Sequence, residues 1–145
     1  MKALIQRVSQ AGVTVAGEQI SVIGPGMLVL LAVEAGDNDA TLRKLVHKVA
    51  HYRLFSDSND KMNLNIQQAA GAVLVVSQFT LAADTQSGLR PSFTPAAAPA
   101  IAEGYYQKFI QQLQNFNIPV QSGRFAADMQ VSLINDGPVT FMLTS

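Results

Sequence analysis

The chain has 145 residues, of which 48% are hydrophobic and 14% charged, and Lys plus Arg balance Asp plus Glu at a formal net charge of zero. That length is enough to bury most of what the unfolded chain exposes and sets the expectation of one domain spanning residues 1–145. The absence of cysteine excludes disulfides, Cys–zinc sites and thiol nucleophiles, and the balanced charge argues against a long phosphate backbone as the main ligand.

The chain opens Met1-Lys2-Ala3-Leu4-Ile5-Gln6-Arg7, without the long apolar core of a signal peptide. Strand-like runs follow at residues 4–9, 12–15, 19–23 and 27–34, broken by Gln10-Ala11, Ala16-Gly17-Glu18 and Gly24-Pro25-Gly26. The strongest apolar run, residues 27–33, is far too short to span a bilayer. A cytoplasmic protein without membrane contact is therefore expected. Asp37-Asn38-Asp39 offers caps for a helix carrying Leu42, Leu45, Val46 and Val49 at i, i+3, i+4 and i+7. Residues 56–65 are polar and read as a loop.

Residues 72–81 read as a buried strand, and a loop holding Arg90, Pro91 and Pro95 runs from residue 83 to about residue 97. A second helix begins near Pro99, a residue suited to a first turn. Its apolar stripe is Tyr105, Phe109, Leu113 and Phe116, and Gly104 weakens it by roughly 1 kcal/mol relative to Ala. Val120 and residues 129–134 and 139–144 complete the sheet, with Asp136-Gly137-Pro138 as a turn signal. Helices interspersed among more numerous strands predict an α+β fold, with a mixed or largely antiparallel sheet and helices packed on it.

Two segments carry most of the chemistry, Ser77-Gln78-Phe79-Thr80-Leu81 and Asn135-Asp136-Gly137-Pro138-Val139-Thr140. Each places small polar residues beside an apolar strand, and each also reads as ordinary strand-edge polarity or a tight turn. Neither holds a Cys, a His or a carboxylate–His pair, so catalysis there would rest on backbone N–H groups aimed at developing negative charge. The Thr80 hydroxyl is a weak nucleophile without an adjacent base. The two imidazoles, His47 and His51, lie at i, i+4 on the first helix. That spacing suits zinc, but Lys48 stands where a zinc protease carries its Glu, and no third ligand follows. A solvent-facing pair is expected, with no metal and no cofactor.

These two segments, together with Ile5-Gln6-Arg7-Val8, Gly88-Leu89-Arg90-Pro91-Ser92-Phe93 and Gly123-Arg124-Phe125, resemble the D-aminoacyl-tRNA deacylase family. The resemblance runs through nearly the whole chain in the family's order and spacing. It implies a curved, barrel-like sheet with flanking helices, assembled as a homodimer. The implied reaction is hydrolysis of the ester at the 3′ end of D-aminoacyl-tRNA, assisted by the substrate's free ribose hydroxyl. Since glycine has no side chain for a steric screen to reject, glycyl-tRNA mischarged on tRNA-Ala is expected to be hydrolysed as well. The backbone of Ser77, Gln78, Phe79 and Thr80 would supply the oxyanion donors and pocket wall. Gly137 and Pro138, joined by a cis bond and inserted into the neighbouring subunit's site, would reject L-amino acids. Asn135 and Thr140 would hold that loop, and Arg7 would brace it through charge-assisted bonds to carbonyls. Phe79, Phe125 and Met129 are candidates to line the pocket for the terminal adenine and equally candidates for core. Arg90 meets a phosphate or only solvent. The alternatives are a hydrolase using Thr80 as nucleophile on a small ester or amide, a nucleic-acid-binding module, and a related deacylase with a trans Gly-Pro bond and altered chirality preference.

Overall fold

The first strand changes the face it buries partway along, and this decides the architecture. In the computed structural model, which describes residues 1–145, β1 (Lys2–Val15) pairs antiparallel on one side with β3 (Gly26–Ala32) and then with β2 (Glu18–Ile23). Its other side pairs with β8 (Gln130–Thr144) over almost its whole length. Ala3 and Ile5 lie in one apolar cluster, whereas Val8, Ala11 and Val13 lie in a second. Register breaks around Val8 cause the switch, since an extra residue in a ladder turns later side chains to the opposite face. The expected break at Gln10-Ala11 does not occur, because both residues stay paired, with Ile134 and Leu133.

The main sheet runs β2-β1-β3-β6-β7, with β8 on the remaining side of β1. Here β6 is Ala72–Ser77 and β7 is Val120–Ser122. Strands β3 and β6 are parallel and buried on both faces, consistent with their near-continuous apolar sequences. Met27, Val29, Val73 and Val75 meet the helices, while Leu28, Leu74 and Val76 join Val8, Val13 and Ile23 inside the curl. The result is a strongly curved, nearly closed mixed sheet with two flanking helices, as expected.

Helix α1 (Asp39–His51) starts where Asn38 Oδ1 accepts from the N–H groups of Ala40 (2.9 Å) and Thr41 (3.1 Å). It buries Leu42, Leu45, Val46 and Val49, the expected stripe. Helix α2 (Pro99–Gln114) buries Tyr106, Phe109 and Leu113, so the stripe enters through Tyr106 rather than Tyr105. A buried phenol needs a hydrogen-bond partner. The Tyr106 hydroxyl finds one in the Val75 carbonyl at 2.9 Å, while Tyr105 is only half-buried, packed against the core edge with Lys108 Nζ over its ring.

Three further expectations are corrected. Residues 56–65 are not all loop, because β4 (Phe55–Ser56) and β5 (Met62–Leu64) form a short hairpin. Its turn is organised by Asp57, whose Oδ1 accepts from the N–H groups of Asn59 (2.8 Å) and Lys61 (3.1 Å). The strand expected to run to residue 81 ends at Ser77, and Phe79–Ala82 form a 3-10 turn. Finally, Asp136-Gly137-Pro138 does not join two neighbouring strands. Gln6 faces Thr140 and Val8 faces Asn135, so two steps along β1 correspond to five along β8. The three surplus residues bulge from one continuous strand.

Candidate active site

The last bond of the β6 region runs from the Gln78 N–H to the Leu31 carbonyl at 2.8 Å. The chain then tightens, with Leu81 N–H donating to Gln78 O (3.2 Å) and Ala83 N–H to Thr80 O (3.1 Å). The N–H groups of Phe79 and Thr80 fall between these bonds and donate to no group of the chain. Free main-chain donors on consecutive residues are what an oxyanion requires. Gln78 Nε2 donates to Thr80 Oγ1 at 2.5 Å, which ties the two side chains together.

Beside this turn lies a largely apolar cavity of about 480 Å³, a volume suited to a small organic group. Ser77, Gln78 and Phe79 form one wall, Phe125 and Met129 line it from the segment after β7, and Tyr106 and Ala102 come from α2. Tyr106 was not expected here, although Phe109 and Leu113 share its i, i+3, i+7 spacing. Its hydroxyl lies 2.9 Å from Val75 O and 3.4 Å from Gly123 O, so one group ties α2 to both walls. Burial pushes its pKa up to about 12, so it remains a neutral donor at physiological pH. Gly123 allows Met129 to close in, because a Cβ there would lie 2.7 Å from Met129 Sδ. At the mouth, the Phe79 ring is 58% exposed and packs against Phe93 at 5.1 Å between centroids.

The second group of residues is equally well defined. Arg7 Nε donates to the Asp136 carbonyl at 2.8 Å and its Nη1 to the Leu54 carbonyl at 3.0 Å. Asn135 Oδ1 accepts from Val139 N–H at 2.7 Å, and Asn135 Nδ2 donates to Thr140 Oγ1 at 2.8 Å. Gln6 Nε2 also donates to that hydroxyl, at 3.3 Å. The Gly137-Pro138 peptide is cis, and Gly137 sits at φ +142°. A Cβ on Gly137 would lie 2.7 Å from Val139 Cγ2 and 3.0 Å from Arg7 Nη2, so the position accepts only glycine comfortably.

The structure therefore gathers Ser77, Gln78, Phe79, Thr80, Phe125 and Met129 at one place and Arg7, Asn135, Gly137, Pro138 and Thr140 at another. Three strand spacings separate β8 from β6, and Arg7 is level with Met27 and Val73, four residues short of Ser77. Followed along the curved sheet these offsets amount to on the order of 20 Å of contour. Arg90 is exposed in its loop. His47 and His51 stack at 4.3 Å on the open face of α1, with no third His, Asp or Glu grouped beside them.

Residues 4–144 match the D-Tyr-tRNA(Tyr) deacylase family. A protein of Haemophilus influenzae (strain 86-028NP) named D-aminoacyl-tRNA deacylase is 64% identical over 143 residues, covering 99% of each chain. One of the same name from Aeromonas hydrophila is 62% identical, again over 99% of each chain. Among solved structures, the c-Myc DNA unwinding element binding protein superposes with a TM-score of 0.96 at 42% identity, covering 100% of this chain and 99% of the other. A chain described as a probable eukaryotic D-amino acid tRNA deacylase gives 0.84 at 18% identity, covering 98% and 97%, a likeness of fold.

Proposed function

The chain belongs to the D-Tyr-tRNA(Tyr) deacylase family and is a hydrolase, a D-aminoacyl-tRNA deacylase, and from that premise we propose that its site is shared between two copies. The cavity and free N–H groups of one copy meet the Gly137-Pro138 loop of the other. Support comes from the separation of the two residue groups within a single chain. It also comes from Leu133, Ile134 and Met142, which are exposed apolar residues on β8.

The terminal adenosine occupies the cavity against Phe125 and Met129, and the scissile ester lies at the Phe79–Thr80 turn. As water attacks, negative charge grows on the carbonyl oxygen, where the Phe79 and Thr80 N–H groups receive it. Such donors typically contribute a few kcal/mol each. The free ribose hydroxyl of the substrate orients the water and relays its proton, and Thr80 acts as a positioning residue held by Gln78. The loop of the second copy faces the α-carbon with main-chain oxygens, which bind the α-amino group and clash with an L side chain. Discrimination is then steric exclusion rather than affinity for D side chains. Glycine carries no side chain to exclude, so glycyl-tRNA is hydrolysed too.

The observation that carries this reading is the pair of unpartnered N–H groups beside an apolar cavity. The test is hydrolysis of D-tyrosyl-tRNA, L-tyrosyl-tRNA and glycyl-tRNA by the purified protein. Loss of the D and glycyl esters alone is expected. An inert glycyl ester would overturn the steric account.

A further inference from the structure

The formal neutrality of the chain conceals a strong separation of charge. Residues 40–56 hold Arg43, Lys44, Lys48 and Arg53, four of the ten Lys and Arg, together with both histidines and no Asp or Glu. The remaining residues then carry six cationic side chains against ten carboxylates. Arg43, Lys44, His47, Lys48 and His51 fall at helical spacings of three and four and are all exposed, so they form one stripe along the solvent face of α1.

None of these cations is neutralised by a carboxylate. The ion pairs of the chain involve Met1, Lys2, Arg7 and Lys108, and the one acidic residue of α1, Asp39, is taken by Lys108 at 3.0 Å. Lys48 Nζ rests on the Thr144 carbonyl at 2.6 Å, and Arg53 Nη1 on Asn63 Oδ1 at 3.3 Å; both partners are neutral. Three unpaired cations, Arg43, Lys44 and Lys48, lie along about 8 Å of helix with no acid between them, and Arg53 follows just past the helix end, a density of positive charge suited to a nucleic-acid backbone.

The stripe is also linked to the Gly137-Pro138 loop. The chain leaving α1 passes through Tyr52 and Arg53 to Leu54, whose carbonyl is held by the same Arg7 that holds Asp136. We infer that the α1 face carrying Arg43, Lys44 and Lys48 binds the phosphate backbone of the substrate RNA behind its 3′ end. The placement next to the ester rests on the shared site proposed above. The affinity of the stripe for RNA does not.

Uncharged tRNA separates the two, because its binding involves no hydrolysis. The test compares wild type with the triple variant R43Q/K44Q/K48Q and with the charge-preserving R43K/K44R. The triple variant is expected to bind uncharged tRNA about a hundredfold more weakly at 0.1 M salt, with a log–log salt slope shallower by about two. Its KM for D-tyrosyl-tRNA rises while kcat at saturation is retained, and R43K/K44R binds as wild type. Melting curves report on folding of each variant. A folded triple variant with wild-type affinity and salt slope would overturn the inference. So would equal weakening by R43K/K44R, since side-chain shape rather than charge would then be responsible. Failure of the shared-site reading would appear separately, as tRNA binding that responds to charge without D-selective turnover.

Discussion

The guanidinium of Arg7 on β1 donates to the main-chain oxygen of Asp136 on β8 at 2.8 Å, and a residue 129 positions away in sequence thereby fixes the base of the Gly137-Pro138 bulge. The same side chain reaches Leu54 O, so three segments meet on one cation. Arg suits this place better than Lys because its planar fork holds two acceptors in set directions.

Arg7→Ala should therefore act on both stability and selectivity. Two charge-assisted bonds are lost and two carbonyls lose their partner, a cost of about 2–3 kcal/mol. A bulge that wanders no longer excludes an L side chain. The expected result is a ten- to hundredfold fall in kcat/KM on D-tyrosyl-tRNA together with measurable hydrolysis of L-tyrosyl-tRNA. Unchanged discrimination would remove Arg7 from the recognition argument.

Gly137→Ala tests the bulge from its tip. The added methyl would approach Val139 Cγ2 and Arg7 Nη2, in a backbone conformation that L side chains rarely adopt. Strain of about 1–3 kcal/mol is expected, relieved by displacement of the bulge. Melting temperature and D-ester turnover should fall together, while the cavity at Ser77 keeps its apolar lining. Retention of full activity would mean that the bulge does not contribute to the reaction.

Thr80→Ala distinguishes positioning from nucleophilic attack. Both histidines lie on α1, and the Thr80 hydroxyl accepts a hydrogen bond from the Gln78 amide, a group that cannot act as a base. A fall of about tenfold is expected, since a neutral hydrogen bond that orients a group is worth about 1–1.5 kcal/mol. Near-complete loss from a normally folded variant, with a trapped acyl-enzyme visible by mass spectrometry, would establish the nucleophile instead.

What could be read in advance followed the range of the interactions. Asn38 and the Leu42, Leu45, Val46 and Val49 spacing are local signals, and α1 is where they place it. Gln10-Ala11 looks like a break because nothing nearby shows that Ile134 and Leu133 hold those residues in the sheet. Asp136-Gly137-Pro138 has the chemistry of a hairpin turn. Only long-range pairing reveals that the chain on both sides of it returns to the same strand. The cavity was legible through family resemblance at Ser77, Phe125 and Met129. Tyr106 was missed because its neighbour Tyr105 offers the same ring one position earlier, and the deciding factor is a hydrogen bond to the distant Val75 carbonyl.

Tyr106 gives that hydrogen bond a pH signature. Its phenol is raised from 10.0 to about 12 in the folded chain, chiefly by burial. The native state thus holds the proton more tightly than the unfolded state. Below pH 10 both states are protonated and the contribution of the phenol to stability is complete. Between pH 10 and about 12 the unfolded chain ionises first and stability falls by about 1.4 kcal/mol per pH unit. Tyr106→Phe lacks both the bond and the titration, so it should be less stable than wild type at pH 8 by about 1 kcal/mol. That gap should close and then reverse above pH 10. Tyr52 and Tyr105 are common to both proteins and cancel in the difference. Denaturant unfolding at pH 8, 10 and 11 measures it. A gap constant across that range would mean that the phenol is not held between Val75 and Gly123, and the two cavity walls would need another tie.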